Sequence, residues 1–172
     1  METAITEALF LASLERNGDI VCMTSYAPLL AKEGFTSWNP DLIYFNNTEV
    51  KPTVGYYTQK LYGQNSGQEY IASYVDVSHS DLAVKNRFGV SIVKDTVNNE
   101  LIVKIINLLH ASVEPELLLE NYEFSNDSVI KTILSGKPFS RTEKPVESVV
   151  GVEDTFNQEI PPFSFTVLRY KL

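Results

Sequence analysis

The residues able to do chemistry in this chain are few and scattered. Paired carboxylates can divide acid and base roles when they are held close together. Glu7 and Glu15 are the first candidates, but both fall in one helical stretch and read as surface or helix-capping groups. Asp41 follows Pro40 and reads as a turn or capping residue. His79 and His110 have no carboxylate or cysteine at metal-ligand spacing, so they read as solvated or locally bonded, and no metal or cofactor is expected. Cys22 is the only cysteine and cannot form an internal disulfide. It lies in the apolar run Ile20-Val21-Cys22-Met23, where a thiol is expected to be a small buried hydrophobe rather than a nucleophile. There is no phosphate-cradling glycine loop, no G-x-S-x-G and no C-x-x-C. Asn46-Asn47-Thr48 and Asn126-Asp127-Ser128 match the glycosylation sequon, a pattern that also arises by chance. The remaining candidates are two aromatics with a polar handle, Tyr26 and Trp38.

The elements that must position those two can be read from periodicity. Ile5, Ala8, Leu9 and Ala12, with Leu11 beside them, recur at helical spacing. Asn17-Gly18 is expected to stop that helix, with either residue available for a left-handed cap. Ile20 to Thr24 is apolar without alternation, which fits a strand buried on both faces in a parallel sheet or barrel. A loop carrying Tyr26 and Trp38 follows it, where an α/β barrel keeps its functional face. Asp41 to Asn46 is short and apolar, and Pro52 to Tyr62 is expected to be a second helix with Pro52 in its first turn. Residues 1–62 thus read as an αβα unit whose strand has no partner within the segment.

The polar joint Gly63-Gln64-Asn65-Ser66-Gly67 marks a boundary. Beyond it strand signals dominate: Tyr70 to Val77, Phe88 to Lys94, Leu101 to Leu109, Leu117 to Leu119, Val129 to Leu134, Val146 to Val152 and Ser164 to Lys171. Within the third of these, Leu101, Val103, Ile105 and Asn107 share one face, while Ile102, Lys104, Ile106 and Leu108 share the other. The expected fold is mostly β: an antiparallel, jelly-roll-like β-sandwich over residues 63–172, preceded by the αβα remnant of a (β/α)8 barrel over residues 1–62.

Composition narrows the function classes. The 172 residues are 44% hydrophobic and 21% charged, as in globular proteins. A net charge of −8 excludes a nucleic-acid partner, which needs clustered Lys and Arg. No stretch approaches the roughly 20 apolar residues of a membrane span. Met1 to Glu7 has no basic segment of the kind that opens a signal peptide, and it reads as the middle of a helix.

Several stretches then resemble glycoside hydrolase family 51 in the family's own order. The first is Glu7-Ala8-Leu9-Phe10-Leu11-Ala12-Ser13-Leu14-Glu15-Arg16-Asn17-Gly18-Asp19-Ile20-Val21, continuing in Met23-Thr24-Ser25-Tyr26-Ala27-Pro28-Leu29-Leu30. Trp38-Asn39-Pro40-Asp41-Leu42-Ile43-Tyr44-Phe45-Asn46-Asn47 and Tyr56-Tyr57-Thr58-Gln59-Lys60-Leu61-Tyr62 follow. The ending Pro162-Phe163-Ser164-Phe165-Thr166-Val167-Leu168-Arg169 resembles the last strand of the family's sandwich. The resemblance is thin between Ser78 and Ile160. Val54-Gly55 and the segment Lys32 to Thr36 depart from the family's pattern.

The resemblance implies a retaining exo-acting α-L-arabinofuranosidase, without metal or cofactor, acting on arabinan, arabinoxylan and related polymers. Two carboxyls flanking the bond would act as acid/base and nucleophile. In the family they end the fourth and seventh barrel strands, upstream of Met1, so no catalytic residue is expected here and the chain alone is expected to be inactive. Tyr26 and Trp38 are then expected to contact sugar in the intact enzyme, with packing roles as the alternative. The partners implied are an arabinose-containing polysaccharide or oligosaccharide, the missing barrel domain and a second copy of the chain. The rival reading is a carbohydrate-binding or domain-docking sandwich without chemistry, for which Tyr70, Tyr74 and Tyr122 are the aromatics to inspect.

Overall fold

Helix α1 (Glu2–Arg16) buries Ala4, Ile5, Ala8, Leu11 and Ala12 along the stripe that the helical spacing requires. A computed structural model describes residues 1–172. The helix stops at Asn17 with φ −105°, so no left-handed cap forms. The Asn17 side-chain amide instead donates to the Ser13 carbonyl at 2.7 Å, satisfying one of the free carbonyls of the last turn.

The run expected to be a buried strand is not one. Val21 to Ser25 carries no regular structure, and Ile20 and Met23 are 77% and 86% exposed. A parallel strand is stable only between neighbours that complete its ladder, and this chain supplies none. Cys22 is exposed with it, a correction to the buried thiol expected from its apolar neighbours. The chain re-enters regular structure in a small sheet of β1 (Leu30–Lys32), β2 (Ile43–Phe45) and β3 (Val50–Pro52). Pro52 ends β3 opposite Ile43 rather than opening the next helix. Helix α2 (Val54–Gln64) starts after Thr53, whose hydroxyl accepts from the Tyr56 N–H.

The main sheet is six-stranded and antiparallel, in the order β4 (Glu69–Ile71), β5 (Phe88–Asp95), β6 (Glu100–Asn107), β9 (Ser164–Lys171), β7 (Ser128–Ser135) and β8 (Val146–Gly151). Between β4 and β5 lies only the short helix α3 (Leu82–Lys85), capped by Asp81. The strand expected over Tyr70 to Val77 is confined to Glu69–Ile71. Leu117 to Leu119 forms no strand; the Leu117 N–H bonds the Phe156 carbonyl at 2.8 Å, and the segment lies as extended cover over the sheet.

Both faces of the sheet are buried, and alternation along β6 divides them as its sequence dictates. Ile102 and Ile106 meet Val93, Leu134 and Phe165 together with α1 and α2, through Ile5, Ala8, Leu61 and Tyr62. Leu101, Val103 and Ile105 face the other way, onto Ile160, Leu168 and Tyr170. That second face is covered by Val113, Leu117, Leu119, Tyr122 and Phe124, tied by one bridge between Val113 and Ile160. The two helices of residues 1–62 therefore share one apolar core with the sheet. Each fully buried Ile or Leu in it contributes about 1.5–3 kcal/mol.

Candidate functional site

A groove of about 680 Å³ opens where the first turns of α1, Tyr26, the stretch from Thr36 to Tyr44, the start of α2 and the loop from Pro138 to Arg141 that precedes β8 meet. Tyr26 and Trp38, singled out from the sequence, both line it. So do Glu7, Asp41, Phe139 and Arg141.

A polar network fixes the loop that carries Trp38. Asp41 is 2% exposed and its carboxylate accepts from Thr36 Oγ1 at 3.2 Å. The Asp41 N–H donates to the Tyr44 hydroxyl oxygen at 2.9 Å, and that hydroxyl donates to Asn39 Oδ1 at 3.2 Å. The Trp38 N–H donates to Thr36 Oγ1 at 3.1 Å. The backbone of Trp38 is thus held while its indole remains 70% exposed, so packing does not consume the ring. Asp41 stands in irregular chain before β2, neither in a turn nor at a helix cap, and its carboxylate is already engaged by Thr36.

Glu7 is not the surface group expected of it. Its Oε2 is buried without a hydrogen-bond partner, facing the groove beside Tyr26. Burial raises its pKa above the usual 4.5, opposed in part by the Gln59 and Tyr26 side chains. The Tyr26 phenol is raised in turn, by burial first and then by the negative charge of Glu7. A carboxyl with a free oxygen beside a phenol can accept a hydrogen bond from a hydroxylated ligand.

Glu15 is also not a surface group. It pairs with Lys104 between α1 and β6, away from the groove, and accepts from Ser91 Oγ. His79 is exposed and its Nδ1 accepts from the Asp81 N–H at 3.0 Å; His110 is exposed and packs edge-on against Phe163. No three His, Cys, Asp or Glu side chains converge to hold a metal ion. Tyr70, Tyr74 and Tyr122 do not form a platform. Tyr70 packs on the helix-facing core and Tyr122 on the opposite one, while Tyr74 is exposed alone.

Sequence reasoning missed Phe139 and Arg141. They lie in a stretch without periodicity, and the one signal was a phenylalanine set among Lys137, Pro138, Ser140 and Arg141, where nothing apolar would bury it. In the structure Phe139 is 91% exposed.

An antiparallel sheet that shares its core with two helices has counterparts among solved glycoside hydrolases of family 51. The arabinose-bound MgGH51 α-L-arabinofuranosidase superposes with a TM-score of 0.88 at 27% identity, over 98% of this chain and 27% of that one. The Thermotoga maritima α-L-arabinofuranosidase superposes at 0.77 and 14% identity, over 98% of this chain and 38% of that one, a likeness of fold alone. The α-L-arabinofuranosidase C-terminal domain model matches residues 1–164, and the chain belongs to that family. Alpha-L-arabinofuranosidase 1 of Arabidopsis thaliana is 29% identical over 171 residues, 95% of this chain. The extracellular exo-alpha-L-arabinofuranosidase of Streptomyces chartreusis is 43% identical over 72 residues, 42% of this chain and 9% of that protein. The chain spans 25% of the length of the Arabidopsis relative.

Proposed function

We propose that this chain is the C-terminal portion of a retaining, exo-acting α-L-arabinofuranosidase that removes terminal α-L-arabinofuranosyl groups from arabinan- and arabinoxylan-type polysaccharides. The observation that carries the reading is the family match across residues 1–164, with relatives whose names state that activity. Residues 1–62 are the end of the barrel and residues 63–172 the sandwich. Tyr26 and Trp38 contact the sugar in the assembled enzyme.

The chain by itself is inactive on this reading. Retaining hydrolysis needs two carboxyls about 5–5.5 Å apart, one free to attack and one to shuttle a proton. Asp41 is buried and engaged by Thr36, and Glu7 projects from a helix rather than a strand end. Acid/base and nucleophile come from the barrel that precedes this segment. The exposed run from Ile20 to Thr24 is then the strand that the barrel completes, and its apolar side chains are the face it covers.

Reading the DNA upstream of the Met1 codon tests this directly. An open frame continuing into a barrel with two strand-end glutamates supports the proposal. A stop codon and a ribosome-binding site there overturns it in favour of a free-standing docking module. One observation favours docking over sugar binding for the sheet itself: Tyr70 and Tyr122 are packed into opposite cores instead of sharing an exposed face.

A further inference from the structure

The geometry points to a second wall of the groove: Phe139 and Arg141, from the sandwich, form with Trp38 a subsite for a neutral oligosaccharide chain. This deepens the reading above and rests on it for the choice of ligand. It gives the sandwich a part in choosing the polymer, which the barrel segment alone does not supply.

Phe139 is 91% exposed, yet the loop that carries it is fixed. The Glu2 N–H donates to the Pro138 carbonyl at 3.0 Å, the Ser140 N–H to the Lys137 carbonyl at 2.9 Å, and the Ser140 hydroxyl to Glu143 Oε1 at 2.6 Å. At Gly136 a Cβ would stand 2.6 Å from Glu143 Cγ and 3.2 Å from Met1 Cε, so the base of the loop packs on the Glu143 and Met1 side chains. A ring presented from a fixed backbone leaves a ligand only the side-chain rotamer to order, not the loop.

Trp38 stands on the other loop of the same groove, also exposed and also fixed through its backbone. Sugar rings present apolar C–H faces and equatorial hydroxyls. Two aromatic rings meet the first need, and the Arg141 guanidinium and the Asn39 amide N–H groups meet the second. The groove's volume is in the range of small-ligand sites and exceeds the space of one pentose ring. Charge bears on the choice of sugar: Arg141 is the only Lys or Arg along the walls and shares them with the carboxyls of Glu7 and Asp41, so the groove offers no strong cationic field for a polyuronate.

Trp38 is the only tryptophan in the chain, so its emission reports this groove alone. The test titrates arabinoxylo-oligosaccharides into the purified chain and follows that emission, up to about 20 mM to cover the weak affinity of an open site. A saturable change is expected. Phe139→Ala weakens it about fivefold or more, Phe139→Tyr restores it, and Arg141→Ala weakens it while the thermal midpoint of each variant stays that of the parent. Absence of a saturable change overturns the inference, as does a change that Phe139→Ala leaves intact. Neither result touches the upstream reading frame, so the failure of this inference and the failure of the enzymatic reading are separately visible.

Discussion

Lys104 Nζ lies 2.6 Å from Glu15 Oε1 and 5.3 Å from the centre of the Tyr62 ring, with none of its side chain exposed. This pair, with the Ser91 hydroxyl that donates to Glu15, is a polar cluster in a largely apolar seam between the helices and the sheet. Burial pushes the Lys104 ammonium pKa down, and the Glu15 carboxylate opposes it. Removing one partner leaves a buried charge without compensation. Glu15→Ala is therefore expected to destabilise the fold by about 3–5 kcal/mol in urea denaturation, and Lys104→Met by clearly less. A Glu15→Ala loss under about 1 kcal/mol contradicts the role given to the pair.

Glu7 makes stability depend on pH in the opposite sense from most carboxylates. Its folded pKa is raised above 4.5, so the unfolded chain releases this proton first. The Glu7 contribution is thus unpenalised below about pH 4.5 and turns unfavourable as pH rises through the folded value. Glu7→Gln should leave the thermal midpoint near that of the parent at pH 4 and raise it relative to the parent at about pH 7. An equal difference at both pH values contradicts the burial of this carboxyl.

Glu100 supplies the usual case. Burial raises its pKa, but bonds from Lys171 and Arg169 outweigh that and leave it below 4.5. Its contribution is present above about pH 4.5 and is lost as pH falls through the lowered value. Both cations keep some exposure, so Glu100→Gln is expected to cost only about 1.5 kcal/mol at neutral pH. Guanidinium melts at neutral pH and at about pH 3 check it, and the difference between variant and parent should shrink at the lower pH.

Two nearby glycines should respond in opposite directions. A Cβ on Gly67 would stand 2.5 Å from the Lys94 carbonyl oxygen, backbone that cannot yield. Gly63, inside α2, has nothing within 4 Å of such an atom. Gly67→Ala is expected to cost about 1–3 kcal/mol. Gly63→Ala is expected to stabilise by about 0.5–1 kcal/mol, because alanine is the better helix former. Chemical denaturation of both variants measures the contrast.

The exposed run after α1 should govern association. Ile20 and Met23 are 77% and 86% exposed, and exposed apolar surface drives self-contact. Light scattering is expected to show concentration-dependent dimers or larger species, reduced in an Ile20→Ser/Met23→Ser variant. Cys22 within the same run should react with a thiol reagent at once without denaturant. A slow reaction would mean the run is covered.

What the sequence made legible follows from what its patterns are addressed to. The stripe of α1 and the alternation of β5, β6 and β9 point at surfaces inside this chain, so spacing located them. The run Ile20 to Thr24 is equally apolar but joins no ladder, and apolarity does not say where a partner lies. Leu117 to Leu119 is apolar enough to cover the sheet but joins no ladder. Lys104 was visible as a charge on a buried face between Ile102 and Ile106; its partner, 89 residues earlier on a helix, was not. For the groove, Tyr26 and Trp38 were found because a loop after an apolar run is a known place to look. Phe139 and Arg141 come from a stretch with no period, brought in only by the tertiary fold.

The central claim is that this chain holds part of an arabinofuranosidase but not its reacting groups. The most direct measurement is turnover of 4-nitrophenyl α-L-arabinofuranoside by the chain alone and by the reading frame extended upstream of Met1. The account predicts no turnover above the uncatalysed rate for the chain and clear release of 4-nitrophenol by the extended protein. Turnover by the chain alone, or none by the extended protein, would contradict it.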